Sequence, residues 1–346
     1  MTSVLHDEIA EQPGVIRQLL IDQGDGVARI AEHIGAAQPR FAVIAARGTS
    51  DNAARYAQYI FGALNRLTVA LATPSLYGVY DRAPRLAGAV VIGISQSGQS
   101  PDIVQVLIEA RRQGAPTVAI TNDPQSPLAR AADGVIALGA GVERSVAATK
   151  TYTSELAALA LLSAHLGNDS VAKSDLLKLP DALTQALDSE VAARAAAQAL
   201  AQASRCVALG RGFNYATAFE VALKIKELTH LLAEPYSTAD FKHGPIAMIE
   251  PDFPVITIAT GATTHDELTQ MRASLLERHA ISVVLGDSAN GPQPSEHFVP
   301  LPGGLPEWLS PIAAIVPGQL LAYHLAYARN LDPDKPRTIS KVTLTK

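Results

Sequence analysis

The chain has 346 residues, a formal net charge of −5, and 48% apolar against 18% charged residues. This composition is typical of a globular protein with a large core, and an acidic chain without a long basic run argues against nucleic-acid binding. The N-terminus has no signal-peptide pattern and no apolar stretch reaches the roughly 18 residues that span a bilayer, so we expect a cytoplasmic protein without a membrane partner.

Buried strands alternate with helices in the first half of the chain. The predicted elements are, in order, a strand at 41–46, a strand at 89–94, a helix at 101–113 and a strand at 117–120. Each strand is a continuous aliphatic run. Such strands between helices predict a parallel sheet that is covered on both faces.

The second half repeats this order. Its predicted elements are a strand at 206–210, a strand at 254–259, a helix at 266–278 and a strand at 282–285. The first strand of each half ends in an Arg-Gly turn, at Arg47 and at Arg211. We therefore predict an α/β protein of two tandem doubly wound, flavodoxin-like domains from an internal duplication. The alternative to a duplication is that two unrelated α/β units resemble each other by chance.

The predicted organisation has four parts. They are an N-terminal helical segment (1–28), a first domain with a phosphate site (29–170), a second domain with a bridging alanine-rich helix, the catalytic helix and a histidine loop (171–330), and a C-terminal tail that closes as a lid (331–346).

Hydroxyl groups are dense after the strand at 89–94. The run is Ser95-Gln96-Ser97-Gly98-Gln99-Ser100, and the following helix begins at Pro101. Ligands of parallel sheets bind beyond the carboxyl ends of the strands, and a helix N-terminus attracts anions. The equivalent second-half loop at 260–264 is looser, so we expect one phosphate site per chain. The alternative is that Ser100 only caps the helix.

Two further hydroxyl-rich turns are Gly48-Thr49-Ser50 and the segment 145–151.

Ionisable groups are concentrated in the second half. Glu220, Lys224 and Glu227 are spaced so that they share one helix face. A solvated salt-bridge stripe is the alternative. His243 precedes Gly-Pro in a tight loop, which suits an acid–base group, although a loop histidine can also be simply exposed.

Cys206 is predicted to be a buried strand cysteine. No spacing typical of a metal site is present, and we expect no metal and no cofactor.

Together these motifs resemble the sugar-isomerase domain family, in particular the isomerase half of glutamine–fructose-6-phosphate aminotransferase. The resemblance covers essentially the whole chain. The matching motifs are Arg47-Gly48-Thr49-Ser50, Ile94-Ser95-Gln96-Ser97-Gly98, Ala147-Ala148-Thr149-Lys150, Gly210-Arg211-Gly212 through Glu220, Lys224 and Glu227, Lys242-His243-Gly244-Pro245, and Pro336-Arg337 to Ser340-Lys341-Val342-Thr343.

The resemblance implies a role for each candidate residue. The sugar phosphate would be held by Thr49, Ser50, Ser95, Gln96, Ser97 and Ser100, with backbone contacts from Val146 and Ala147. Ala148 replaces the family's serine, which removes one hydroxyl. Glu227 would carry a proton between C1 and C2, supported by Lys224 with Glu220. Lys341 would form a Schiff base with an open ketose. His243 would assist ring opening in the neighbouring subunit of a homodimer.

The expected activity is that of an enzyme acting on a phosphorylated sugar. The family's glutamine-dependent synthases carry an N-terminal cysteine nucleophile, whereas Cys206 is the first cysteine of this sequence. We therefore expect glucosamine-6-phosphate deaminase activity, giving fructose 6-phosphate and ammonia. The alternatives are a fructosamine-6-phosphate deglycase or another aldose–ketose isomerase. A non-catalytic sugar-phosphate sensor is a further alternative, from a different functional class.

Overall fold

A computed structural model describes residues 3–337 and Lys341, and the chain divides into two compact units. We call them the first-sheet unit and the second-sheet unit. The first-sheet unit consists of Gly14–Glu143 and Lys150–Leu177 together with Lys341. The second-sheet unit consists of the residues before Gly14, the segment Arg144–Thr149, and the chain from Lys178 to Arg337.

Two helices, α1 (Val4–Ala10) and α2 (Gln12–Ala36), precede the first sheet. The elements that follow are β1 (Phe41–Ala45), α3 (Thr49–Asn65), β2 (Thr68–Leu71), α4 (Ser75–Gly78), β3 (Ala89–Ile94), α5 (Pro101–Arg112), β4 (Thr117–Thr121), α6 (Pro127–Ala131), β5 (Gly134–Ala137), α7 (Lys150–Leu166) and α8 (Ser170–Leu176). The strands are parallel in the order β2-β1-β3-β4-β5, with Phe41 of β1 in register with Ala89 of β3. Strand β3 is buried along its whole length, and helices α3 and α5 pack against it.

The second sheet has the same arrangement. Its unit contains α9 (Leu179–Leu187), α10 (Glu190–Leu200), β6 (Arg205–Gly210), α11 (Tyr215–Thr229), β7 (Leu232–Ser237), α12 (Thr238–Lys242), β8 (Pro254–Ala259), α13 (His265–Glu277), β9 (Ile281–Gly286), β10 (His297–Pro300) and α14 (Ser310–Ala328). The parallel order β7-β6-β8-β9-β10 repeats the order of the first sheet. The predicted fold class, two tandem doubly wound parallel sheets, is confirmed.

The repeated Arg-Gly turn has the same structural role in both sheets. Arg47 follows β1, and its Nε donates to Asp102 at 2.9 Å. Arg211 follows β6, and its Nε donates to Glu267 at 2.9 Å. Both carboxylates lie in the first turn of the helix that follows an adjacent strand of the sheet, α5 after β3 and α13 after β8. An acidic residue at a helix N-terminus interacts favourably with the helix dipole. Each arginine therefore ties one strand end to a neighbouring helix start.

Helix α14 corrects the expectation that no apolar stretch is long enough to span a membrane. Residues 307–328 meet that test by length and composition, with a mean hydropathy of 1.3, but 89% of the apolar window is buried inside the protein. The helix packs against α9, α10 and α11, so it is apolar on every side. The core position of α14 accounts for its composition.

Candidate functional site

The loop between β3 and α5, residues 95–100, has a tightly fixed backbone, and we call it the hydroxyl loop. Gly98 has a φ of +61°, and a Cβ atom added there would lie 2.1 Å from Ser126 Oγ. Only glycine fits this position. The amide of Asn122, just after β4, donates to the Gln96 carbonyl at 3.1 Å. The loop is therefore anchored to the end of the adjacent strand.

The serines of the hydroxyl loop retain their hydrogen-bond donors. Ser95 Oγ accepts the Gly98 amide at 3.1 Å, and Ser97 Oγ accepts the Gln99 amide at 3.3 Å. Ser100 is the N-cap residue of α5, but its side chain makes no capping bond, which argues against the capping alternative. Across residues 3–337 and Lys341, none of these three hydroxyls donates to a protein group. Three O–H donors at a helix N-terminus can bind an anion.

The equivalent loop of the second sheet binds the protein's own carboxylates instead. The amide of Gly261 donates to Asp287 Oδ2 at 2.7 Å, and the amide of Thr263 donates to Glu307 Oε1 at 2.7 Å. A phosphate at this loop would meet two negative charges and amides that are already bonded. The geometry favours the hydroxyl loop of the first sheet as the anion site.

Ser97→Ala is expected to weaken the binding of fructose 6-phosphate by about ten- to a hundredfold, since a hydrogen bond to a charged group contributes about 1.5–3 kcal/mol. Binding of unphosphorylated fructose should change far less. Titration calorimetry with both sugars measures the difference. Ser75→Ala, at the exposed start of α4, is the matched control. Equal losses for the two sugars would contradict a phosphate site at this loop.

Ser50 is paired with a carboxylate that the sequence did not predict. Ser50 Oγ donates to Glu155 Oε1 at 2.8 Å, and both residues are buried. Thr49 is the first residue of α3, and Glu155 lies on α7. The available signal was a single charged residue within the otherwise uncharged run from Tyr152 to Ala164. The Ser50 hydroxyl proton is therefore directed to Glu155.

Lys341 also has a buried carboxylate partner in the first-sheet unit. Its Nζ lies 2.5 Å from Oε2 of Glu143, whose side chain is fully buried. Glu143 was not among the predicted site residues. Of the predicted tail at 331–346, residues 338–340 and 342–346 lie outside the described part of the chain, and with them half of the expected lid.

The second-sheet unit brings three predicted residues together on α11. Lys224 Nζ lies 3.3 Å from Glu220 Oε1 and 2.6 Å from Glu227 Oε2. The side chains of Glu220 and Lys224 are 0% and 1% exposed, whereas that of Glu227 is 24% exposed. This burial excludes a solvated salt-bridge stripe. Burial alone would disfavour the ammonium, but the two carboxylates outweigh it and raise the pKa of Lys224.

The remaining predicted residues lie on other segments of the chain than α11. His243 follows α12 and is exposed, and its side chain makes no hydrogen bond or ion pair within the described chain. Val146 and Ala147 belong to the segment Arg144–Thr149 of the second-sheet unit, and so lie in a different unit from the hydroxyl loop. Glu8 of α1 holds the start of this segment, because its carboxylate accepts the Ser145 amide at 3.2 Å.

Cys206 is buried in β6, as predicted, and burial raises the pKa of its thiol to about 12. A thiol in this environment is not a nucleophile at neutral pH. Among the residues that the structure describes, no group of three or more histidine, cysteine or acidic side chains is arranged to hold a metal ion.

A comparison with protein families identifies these elements as a known pair of domains. The SIS domain profile matches residues 37–164 and 199–329. The chain belongs to the SIS domain family. The two matched regions contain the two parallel sheets, so the internal duplication is a pair of SIS domains.

Several relatives align with nearly the full length of this SIS-domain protein. The isomerizing glutamine–fructose-6-phosphate aminotransferase of Gloeobacter violaceus is 35% identical over 352 residues, which cover 96% of this chain and 57% of that protein. This chain thus spans little more than half of that relative's length.

Two solved structures have the same fold. A candidate phosphosugar isomerase of Silicibacter pomeroyi is 33% identical with a TM-score of 0.86, and the match covers 96% of this chain and 100% of the other. The C-terminal domain of glucosamine-fructose-6-phosphate aminotransferase from Francisella tularensis is 26% identical with a TM-score of 0.88, covering 97% and 99%.

Proposed function

We propose that this SIS protein is an amino-sugar phosphate isomerase and deaminase that converts glucosamine 6-phosphate and water to fructose 6-phosphate and ammonia. The observation that carries the proposal is the buried cluster of Glu220, Lys224 and Glu227. Glu227 is the cluster's partly exposed member, and Lys224 fixes its carboxylate at 2.6 Å. An oriented and accessible carboxylate of this kind is suited to move a proton between two adjacent carbon atoms.

The proposed reaction consists of a proton transfer by Glu227 followed by the replacement of ammonia by water at C2. Glu227 removes the proton from C2 of the open-chain amino sugar and returns it to C1, while a second proton passes from the amine nitrogen to O1. The aldehyde thereby becomes an alcohol and the amine becomes an imine. Water then adds to C2 and ammonia leaves. General acid–base assistance of this type contributes roughly 10²–10⁴-fold in rate. The family resemblance supports His243 as the group for ring opening and Lys341 as the amine that binds the open ketose.

A relative's name supports the sugar, and mass action supports the direction of the reaction. The aligned Gloeobacter violaceus relative is named for a reaction at fructose 6-phosphate. At low concentrations of free ammonia, mass action favours release from the amino sugar.

Ammonia release from a panel of amino sugars tests the proposal. The panel consists of glucosamine 6-phosphate, galactosamine 6-phosphate, fructosamine 6-phosphate and unphosphorylated glucosamine. We expect glucosamine 6-phosphate to give stoichiometric ammonia and fructose 6-phosphate. Release from fructosamine 6-phosphate alone would identify a deglycase. Binding of these sugars without any turnover would contradict an enzymatic role.

A further inference from the structure

Glu143 is a fully buried carboxylate that receives donors from two directions. It lies between β5 and α7 in the first-sheet unit. The amide and hydroxyl of Thr151 lie 3.1 Å and 2.8 Å from its two oxygens. The ammonium of Lys341 lies 2.5 Å from Oε2. A buried carboxylate is costly unless it is paired, and Lys341 provides the opposite charge.

The two partners of this ion pair differ in accessibility. The side chain of Glu143 is 0% exposed, whereas that of Lys341 is 24% exposed. A small molecule can therefore reach the amine but not the carboxylate. The two bonds from Thr151 hold the carboxylate in a fixed orientation that does not depend on the lysine. Lys341 is therefore an accessible amine, and its buried counter-ion Glu143 is held in place by Thr151.

We infer that Glu143 is the catalytic counter-ion of Lys341, exchanging a proton with Nζ while the lysine forms a Schiff base with a ketose phosphate. The inference rests on the proposed function, which gives Lys341 the Schiff-base role. Only a neutral amine has the electron pair that attacks a carbonyl. Glu143 is within reach to take that proton and to hold it while the amine reacts.

The proton and charge balance is complete without another reactant. Nζ passes one proton to Glu143, and its electron pair forms a bond to C2 while the carbonyl pair moves to oxygen. A second proton moves from nitrogen to that oxygen. Glu143 then gives its proton to the same oxygen, the C2–O bond breaks with its electrons on oxygen, and water leaves as the C=N bond forms. The iminium keeps one proton and the positive charge, and it faces the restored Glu143 carboxylate.

The ion pair itself is tested without any ligand. The reaction of Lys341 with acetic anhydride is measured by mass spectrometry relative to Lys335, which is 84% exposed and serves as an internal reference. The ion pair with Glu143, at 2.5 Å, holds the Lys341 nitrogen away from the reagent. In Glu143→Gln the labelling ratio at neutral pH should therefore rise by about tenfold. An unchanged ratio would show that the pair does not form in solution, and the inference would be overturned.

Borohydride trapping of fructose 6-phosphate on Lys341 tests the chemical role. We expect Glu143→Gln to lower the trapped fraction by at least about tenfold, because no carboxyl group then supplies the proton with which the C2–O bond breaks. Glu143→Asp keeps the charge and should trap more than the glutamine variant. Glu109→Gln is the matched control, since Glu109 pairs with Arg112 in the same unit, and it should trap like the wild type. Equal trapping by the glutamine and aspartate variants would overturn the inference.

The two readouts separate the inference from the function on which it rests. Wild-type protein that is never trapped on Lys341, while the labelling ratio still responds to Glu143→Gln, would refute the Schiff-base role in the proposed function and leave the ion pair standing. Trapping on Lys341 that is indifferent to the charge at position 143 would refute the counter-ion and leave the Schiff base standing.

Discussion

Replacing Glu227 with glutamine is expected to lower the exchange of the C1 protons of fructose 6-phosphate with solvent by roughly 10²–10⁴-fold. An amide cannot accept the proton. Its oxygen can still accept the hydrogen bond from Lys224, which lies 2.6 Å from the wild-type carboxylate. The dissociation constant for fructose 6-phosphate should therefore remain close to the wild-type value. Proton exchange is followed by NMR of fructose 6-phosphate in deuterium oxide.

A matched substitution separates the loss of this carboxylate from a general loss of negative charge. Glu234 lies on β7 and is exposed, so Glu234→Gln removes one charge from the same unit without touching the cluster. This control should exchange protons like the wild type. If Glu227→Gln also exchanged them at the wild-type rate, another group would be the base.

The central strands could be predicted from the sequence, whereas the outer ones could not. Strands β3 and β8 are continuous apolar runs that are buried along their whole length, and their predicted bounds agree with the structure. Strands β2, β5, β7 and β10 are outer strands that were not predicted. Strand β7 reads Leu-Ala-Glu-Pro-Tyr-Ser, and the glutamate and proline are tolerated because only one side of an edge strand is paired. Its local sequence carries no strand signal.

The candidate site divides in a similar way between local and distant features. The hydroxyl loop and the α11 cluster were predicted because their residues are close in the sequence and share a loop or a helix face. The buried partners could not be predicted in this way. Glu155 is 105 positions from Ser50, and Glu143 is 198 positions from Lys341. Only the folded sheet brings such residues together, and no spacing rule connects them.

Lys224→Met is expected to lower the free energy of unfolding by about 3–5 kcal/mol, because it leaves a buried carboxylate without its counter-charge. Glu220 is 0% exposed and cannot recover the lost interaction from water, unlike Glu227, which is 24% exposed. Methionine fills a similar volume, so lost packing contributes little. Urea unfolding monitored by circular dichroism measures the change.

A double substitution distinguishes the uncompensated charge from a packing defect at position 224. Lys224→Met combined with Glu220→Leu removes both charges of the buried pair and should recover most of the lost stability, since apolar replacements of whole buried ion pairs are often neutral or stabilising. Lys335→Met changes an exposed lysine and should alter the free energy of unfolding by no more than about 0.5 kcal/mol. A double variant as unstable as Lys224→Met alone would locate the defect in packing. A loss below about 1 kcal/mol in the single variant would mean that Glu220 is already neutral in the folded protein, because only an ionised carboxylate needs the lysine's charge.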